Sequence, residues 1–279
     1  MLALNGLDCS AICGGAGLSL DGLRVYAVVP ARNEEAYLEA TLSSLVRQSL
    51  RLSGIIVVDD GSTDGTARVA ARYGSVVRLP GHDESYVGRP ELAVVFNEGL
   101  RRVPDSCDYV LVLGADHVLP RDYLERLISR MIVDDVRVAS GYIAGEPYHP
   151  EMPRGSGRVY DFKLLKGIGF FPVNWGWESY VLFKFMQMGY AVRCYRDICA
   201  GEARRTGRSG RRMYYYGKAM RALGYDFKYA VARALFNRSL SMLRGYLSGD
   251  VRVYDDVASF VREWQRRMFW RRVRDVLGL

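Results

Sequence analysis

Four short β-branched runs, at residues 24–29, 54–58, 75–79 and 108–113, each close on a Gly, Pro or Asp turn, and segments of helical periodicity separate them. Runs of this length and composition are strands buried on both faces. Between the first two, Leu38, Leu42, Leu45 and Val46 recur at helical spacing after Asn33-Glu34-Glu35. A second helix is expected over 66–73, behind Ser62 and Asp64. Strand, helix and strand in this order imply a parallel sheet with right-handed crossovers and helices on its faces. Ligands bind such sheets where strands end and helices begin. The two ends richest in chemistry are Pro30-Ala31-Arg32-Asn33-Glu34-Glu35 and Val58-Asp59-Asp60-Gly61-Ser62, and this topology sets them side by side.

Adjacent carboxylates repel a bare phosphate. Asp59 and Asp60 therefore hydrogen-bond a base or ribose, or reach a phosphate through a metal ion. A base or sugar ring is the natural partner of Asp60. The plainer alternative is a pair of tight D-G turns with Asp64 capping the following helix.

These residues carry a resemblance. Pro30, Asn33 and Glu34 match the P-x-x-N-E that ends the first strand of glycosyltransferase family 2, the inverting enzymes with a GT-A fold. Val58 to Ser62, Asp64 and Thr66 match its V-D-D-G-S-x-D-x-T, and Gly88, Ala93, Asn97 and Gly99 resemble its G-x-x-x-A-x-N-x-G more loosely. The resemblance implies an α/β, Rossmann-like GT-A fold, a mostly parallel sheet with flanking helices, and a nucleotide-diphosphate sugar as donor. It assigns donor contacts to Pro30, Ala31, Arg32, Asn33, Glu34, Asp59, Asp60, Gly61, Arg89, Ala115 and Asp116. It also implies Mg²⁺ or Mn²⁺ on the donor diphosphate, held by a D-x-D whose first Asp is here Gly114, leaving Asp116. One carboxylate suffices for Mg²⁺, which keeps several waters. His117 is either a further ligand or a hydrogen-bonded structural residue.

The family draws its catalytic base from an E-D pair at a helix start. Here Trp175-Gly176-Trp177-Glu178-Ser179-Tyr180 precedes Leu182, Phe185, Met186 and Gly189-Tyr190. Aligning on Gly189 places Glu178 at the base position and aligning on Leu182 places Ser179 there. Glu178 is favoured because a hydroxyl does not accept a proton at neutral pH. The alternative is a glutamate placed by the helix dipole. Trp175 and Trp177 are read as a stacking platform for the acceptor, or as core. Residues 201–212, GEARRTGRSGRR, resemble the family's H-x-R-x-T-G, with Arg204 and Arg208 to steady the leaving diphosphate and Glu202 in the place of His, where it would restore an oxygen ligand. Two other readings stand: a non-catalytic binding or membrane-docking protein on the same fold, supported by Gly114 and Ser179, and a nucleotidyltransferase, weakened by the absence of a Gly-rich first turn.

Charge divides the chain. Residues 1–150 hold 14 basic and 20 acidic side chains, and residues 151–279 hold 25 and 11, within a net +8. The acidic half suits a donor site with a metal; the basic half suits an anionic partner, a glycan or a lipid phosphate. Residues 257–277 set Val257, Phe260, Val261, Trp264 and Met268 on one helical face among many arginines. That pattern fits peripheral membrane contact or a helix packed on its own domain. No nucleic-acid-binding signature accompanies the basic charge, so nucleic acid is not expected as a specific partner. The expected organisation is an extension over 1–23, a donor half over 24–150, an acceptor half over 151–210 and a helical, basic region over 211–279. Lacking a basic leader, residues 1–23 do not read as a signal peptide, and a cytoplasmic protein, peripheral on the inner membrane face, is expected. Five cysteines form no zinc pattern; reduced thiols are the default, with Cys194 and Cys199 the one pair considered.

Overall fold

The computed structural model describes residues 20–143, 145, 146, 148–203 and 209–277, with backbone alone for 202, 203, 271–273 and 275–277. In chain order the elements are β1 (Val25–Ala31), α1 (Glu35–Val46), β2 (Gly54–Asp59), α2 (Thr66–Ala70), β3 (Ser75–Arg78), α3 (Glu91–Leu100), β4 (Tyr109–Val112), β5 (His117–Val118), α4 (Tyr123–Val133) and β6 (Val136–Tyr142). There follow β7 (Arg158–Asp161), α5 (Phe162–Gly167), α6 (Trp177–Gln187), β8 (Ala191–Cys199), β9 (Glu202–Ala203), α7 (Gly210–Ala222), α8 (Phe227–Phe236), α9 (Leu240–Tyr246) and α10 (Asp255–Leu277).

Seven strands form one sheet in the order β3-β2-β1-β4-β7-β6-β8. The pairs β2–β3, β1–β2, β1–β4 and β6–β8 are parallel, and β7 is antiparallel to both neighbours. The sheet is therefore mostly parallel, and β1, β2 and β4 are covered on both faces, which explains their continuous apolar runs, whereas the edge strand β3 is exposed or half-buried throughout and not the buried strand expected. On one face Val25, Ala27 and Val29 meet Leu38, Leu42 and Leu45 of α1 and Leu124, Leu127 and Ile128 of α4. On the other, Val28 and Val58 meet α3 and α6 through Val95, Phe96, Leu100, Val181 and Phe185. Gly99 lets α3 lie close: a Cβ there would stand 2.5 Å from Val28 and 2.8 Å from Val58.

The sheet crosses the division expected at residue 150, because β7 inserts between β4 and β6. Val46 is 56% exposed rather than part of the α1 stripe, and α2 stops at Ala70, its chain leaving through a turn. Cys194 and Cys199 are free thiols, the first buried and the second exposed. The extension, apart from residues 20–23, lies outside the described residues.

The C-terminal helices make a second, smaller core of Met213, Met220, Ala230, Ala234, Met242 and Tyr246. Helices α7 and α9 cross in backbone contact, since a Cβ on Gly217 would lie 2.0 Å from the Met242 carbonyl and one on Gly245 2.0 Å from that of Tyr214. α10 fastens this unit to the sheet: Val257, Val261 and Trp264 pack with Phe183 of α6 and Leu223. In the apolar stripe of 257–268, Val257, Val261 and Trp264 are thus buried on their own chain and Phe260 and Met268 partly so, while Phe269 and Trp270 remain outside. No helix among the described residues is long and apolar enough to cross a membrane.

Candidate active site

The carboxyl ends of β2, β1 and β4 are neighbours, so their turns open on one mouth about 10 Å across, two strand spacings. Hydrogen bonds join the first two turns. Asn33, at φ +53°, donates its amide to Ser62 Oγ (3.0 Å), and its Oδ1 accepts from the Thr63 amide (2.9 Å). The Glu34 amide donates to Thr66 Oγ1 (2.8 Å) and the Glu35 amide to Asp64 Oδ2 (3.2 Å). Partial burial pushes the Asp64 carboxyl up, but hydrogen bonds from Thr66 and the Glu35 backbone outweigh it and hold the group below its ordinary value. Asn33 and Asp64 thus bind loop to loop. Gly61, at φ +67°, lies against Pro80 and Gly81, where a Cβ would meet Gly81 Cα at 2.6 Å. Beside it Asp59, Ser62, Asp64, Ala67 and Arg78 line a cavity of about 370 Å³.

Asp60 is buried, its amide bonded to the Ala31 carbonyl (2.9 Å). Its Oδ2 lies 3.1 Å from His82 Nε2, close but off the line of a hydrogen bond. Arg32 donates to His82 Nδ1 (2.8 Å) and to the carbonyls of His82 and Glu84. A guanidinium only donates, so Nδ1 accepts and the ring proton sits on Nε2, facing Asp60. Tyr86 stacks on the imidazole at 3.8 Å and 6°. His82 and Tyr86 lie in a stretch with no periodicity, and nothing in the sequence marks them as partners of Asp60. Arg89 is claimed by Glu91 and Glu84, whose hydrogen bonds raise its already high pKa; Pro30 is a β1 residue paired with Val58.

The third turn meets a loop that enters β7. Ser156 Oγ accepts from the Gly114 amide (2.9 Å) and sits 2.6 Å from His117 Nδ1, while His117 Nε2 sits 2.5 Å from the Ala200 carbonyl. Both ring nitrogens are engaged and the ring is wholly buried, so His117 takes its structural reading; burial pushes its pKa down against the pull of the Ala200 carbonyl. The Ala115 carbonyl accepts from Thr41 Oγ1 (2.8 Å). A Cβ on Gly114 would lie 3.2 Å from Asp116 Oδ1 and 3.3 Å from Ser156 Oγ, which places Asp116 at the edge of the same loop.

The adjoining Gly155 reaches Glu178: a Cβ there would fall 2.6 Å from Glu178 Oε1. Asp116 and Glu178 therefore flank one dipeptide, Gly155-Ser156. Glu178 is exposed, in the first turn of α6 behind Gly176 at φ +73°. Buried Arg158 braces it, donating to the carbonyls of Pro153 (2.6 Å) and Arg154 (3.0 Å) and lying 3.5 Å from that of Glu178. Asn97 pins the approach to α6 through both the amide and carbonyl of Phe171 (3.1 and 2.7 Å). Ser156 and Arg158 were not legible as site residues, since a serine in a loop and an arginine in a strand carry no pattern.

Trp177 is not an acceptor platform. It is buried against Phe171 and Phe96, with Nε1 donating to the Arg89 carbonyl (3.3 Å). Trp175 is half-buried, with Tyr215 beside its ring at 4.9 Å and Lys218 Nζ over it at 4.9 Å. Arg204 and Arg208 lie outside the described residues. Glu202 is described as backbone only, in β9, opposite Val118. Among the described residues no group of three or more His, Cys, Asp or Glu is gathered for a metal ion.

A mostly parallel seven-stranded sheet with helices on both faces defines an α/β protein of the GT-A kind. The family described as "Glycosyl transferase family 2" matches residues 26–178, more than half of the chain, and the chain belongs to it. It is similar to Glycosyltransferase GlyA of Streptococcus pneumoniae (28% identity over 42% of this chain and 16% of that protein) and to 4,4'-diaponeurosporenoate glycosyltransferase of Staphylococcus aureus (30% over 51% and 36%). The chain thus spans well under half the length of these curated relatives. Among solved structures it shares its fold with Staphylococcus aureus TarS 1–349 (TM-score 0.54, 18% identity, 71% of this chain and 64% of that one). It also resembles the mannosyltransferase PcManGT of Pyrobaculum calidifontis in complex with GDP-Man and Mn²⁺ (0.58, 21%, 71% and 62%).

Proposed function

We propose that this chain transfers a sugar, with inversion, from a nucleotide-diphosphate sugar to a hydroxyl or phosphate acceptor on a glycan or lipid phosphate. One observation carries the reading: Asp60, Asp116 and Glu178, the three carboxylates such a reaction needs, stand around one mouth in a chain of this family. Asp60 serves the nucleoside. The setting of His82 supports this reading, because a planar ring is stacked on Tyr86 with Nε2 near Asp60 and Nδ1 accepting from Arg32. Uracil, thymine and guanine offer a ring N–H beside an acceptor; adenine and cytosine present a bare ring nitrogen there. The donor base enters as His82 swings aside.

Asp116 fits a divalent ion shared with the donor, since it is a partly exposed carboxylate just beyond the end of β4, with Oδ1 lying against Gly114. It does not belong to a preformed cage, and the remaining positions suit diphosphate oxygens and water. Mg²⁺ or Mn²⁺ bound there would neutralise charge on the leaving diphosphate. The Mn²⁺ complexes of PcManGT and of Mycobacterium tuberculosis glucosyl-3-phosphoglycerate synthase support this choice of ion. Glu178 removes the acceptor proton as the acceptor oxygen attacks the anomeric carbon from the face opposite the diphosphate, and Arg204 or Arg208 steadies the leaving group.

The test is to incubate the protein with UDP-, GDP-, dTDP-, ADP- and CDP-sugars and Mn²⁺ and to assay free nucleoside diphosphate. Release from one of the first three, lost in Asp60→Asn, is expected. Release from none of the five, with no nucleotide binding by calorimetry, would overturn the reading in favour of a non-catalytic protein.

A further inference from the structure

Helices α8 and α9 form a hairpin whose tip is apolar and open to solvent. Leu235 and Phe236 end α8 and Leu240 begins α9, at 72%, 90% and 75% exposure, the three most exposed large apolar side chains among the described residues. The opposite side of the hairpin is packed, with Ala230, Ala234, Met242 and Tyr246 in the small helical core. The turn between them is held in place. The amides of Arg238 and Ser239 donate to the carbonyls of Leu235 (2.9 Å) and Ala234 (3.0 Å), and Ser239 Oγ accepts from the Met242 amide (3.2 Å). Three large apolar groups within six residues are therefore presented to water by an ordered turn, an arrangement that folding alone does not favour.

The charge around the tip names the partner. Residues 227–249 contain Lys228, Arg233, Arg238 and Arg244 and no Asp or Glu, and all four cations are exposed. We propose that this tip docks the protein on a membrane surface rich in anionic lipid. Leu235, Phe236 and Leu240 enter the boundary between headgroups and acyl chains, and the flanking cations meet lipid phosphates. An apolar tip flanked by Arg233 and Arg238 matches a planar anionic interface, which needs no complementary groove. The docking element is then α8–α9, whereas the basic helix α10, the candidate by sequence pattern, has spent Val257, Val261 and Trp264 on internal packing. Because the proposal rests on exposed groups remote in sequence from Asp60, Asp116 and Glu178, it holds whether or not the proposed transfer is correct.

The experiment is vesicle flotation of the full chain with phosphatidylcholine alone and with about a third phosphatidylglycerol. Binding is expected for the anionic vesicles only and weakens as salt rises. Phe236→Ser with Leu240→Ser should weaken it at least about tenfold, and Arg233→Gln or Arg238→Asn about fivefold each. Asn is chosen at 238 because that residue has φ +48°. Phe269→Ser with Trp270→Ser on α10 should bind as the parent does. All variants alter exposed groups and should keep the parental melting temperature; should the tip pair unfold, the arginine variants still decide. The proposal is overturned if the parent ignores anionic vesicles, if the tip variants bind undiminished, or if the α10 pair alone abolishes binding. It is equally overturned if sedimentation velocity shows a dimer that the tip variants disperse, which would make the tip an interface between copies of this chain.

Discussion

Glu178 sits in the first turn of α6 with its carboxylate exposed above Gly155, and Arg158 fixes the backbone beneath it. As the proposed base, Glu178 would need no burial to act, only reach. Glu178→Gln should bind donor as the parent does and turn over about 10²–10⁴-fold more slowly; steady-state kinetics with separate kcat and KM would decide, and near-parental kcat would move the base elsewhere. At Asp116 the expectation concerns the ion. Asp116→Ala should lose any stabilisation of the nucleotide diphosphate complex by Mn²⁺, seen in thermal shift. Gly114→Asp sets a second carboxylate against Asp116, with its Cβ 3.2 Å from Oδ1. That variant should melt below the parent in chelator and gain more from Mn²⁺, because like charges repel until a cation joins them. Asp60 and Asp116 stand out in the sequence because each follows an apolar strand run, and Glu178 because it opens a helical pattern. Their supports do not: Ser156, Arg158 and His82 act through long-range contacts, and His82 reaches Asp60 only through the fold.

At the scale of elements, the strands before each turn were legible because burial on both faces demands unbroken β-branched runs. Strand β7 was not, for Arg158-Val159-Tyr160 follows a Pro- and Gly-rich stretch and its pairing between β4 and β6 is set by partners far away in sequence. The two-residue strands β5 and β9 have no period to detect. The trptophan pair shows the same limit in reverse, since one aromatic beside Glu178 is core and the other is half covered by α7. Helix crossings also carry no sequence signal beyond glycine. Gly217→Ala would gain up to about 1 kcal/mol in helix propensity, but its Cβ falls 2.0 Å from the Met242 carbonyl. Overpacking of about 1–3 kcal/mol should win. Gly167→Ala, with nothing within 4 Å of its Cβ, should be neutral or stabilising by about 0.5 kcal/mol. Urea unfolding midpoints of the two variants test the contrast, and equal midpoints would contradict the crossing.

Over the whole molecule, stability should fall at both ends of the pH scale for different reasons. Asp64 and Asp256 are held below their ordinary values: in each, burial acts upward as the largest single effect and is outweighed by hydrogen bonds, from Thr66 and from Lys184 and Tyr180 respectively. A depressed carboxylate contributes stability that is present above its unfolded pKa, near 3.8, and is lost as pH falls toward the folded value. At the alkaline end, burial pushes the Cys107 thiol from 9.0 up to about 12, and burial with the hydrogen bond to Asp256 pushes Tyr180 from 10.0 up to about 12. Between those values the unfolded chain has released protons that the folded chain still holds, so each rise in pH favours unfolding. Denaturant unfolding should therefore show a plateau only from about pH 7 to 8, a first decline below about 6.5 as the unfolded His117 takes a proton that the buried ring resists, and a decline beginning near pH 9. Cys107 is wholly buried with its thiol donating to the Tyr109 carbonyl (3.1 Å). Cys107→Ala should lower stability at every pH yet flatten the decline between 9 and 12. An unchanged alkaline slope in that variant would show that the thiol titrates alike in both states.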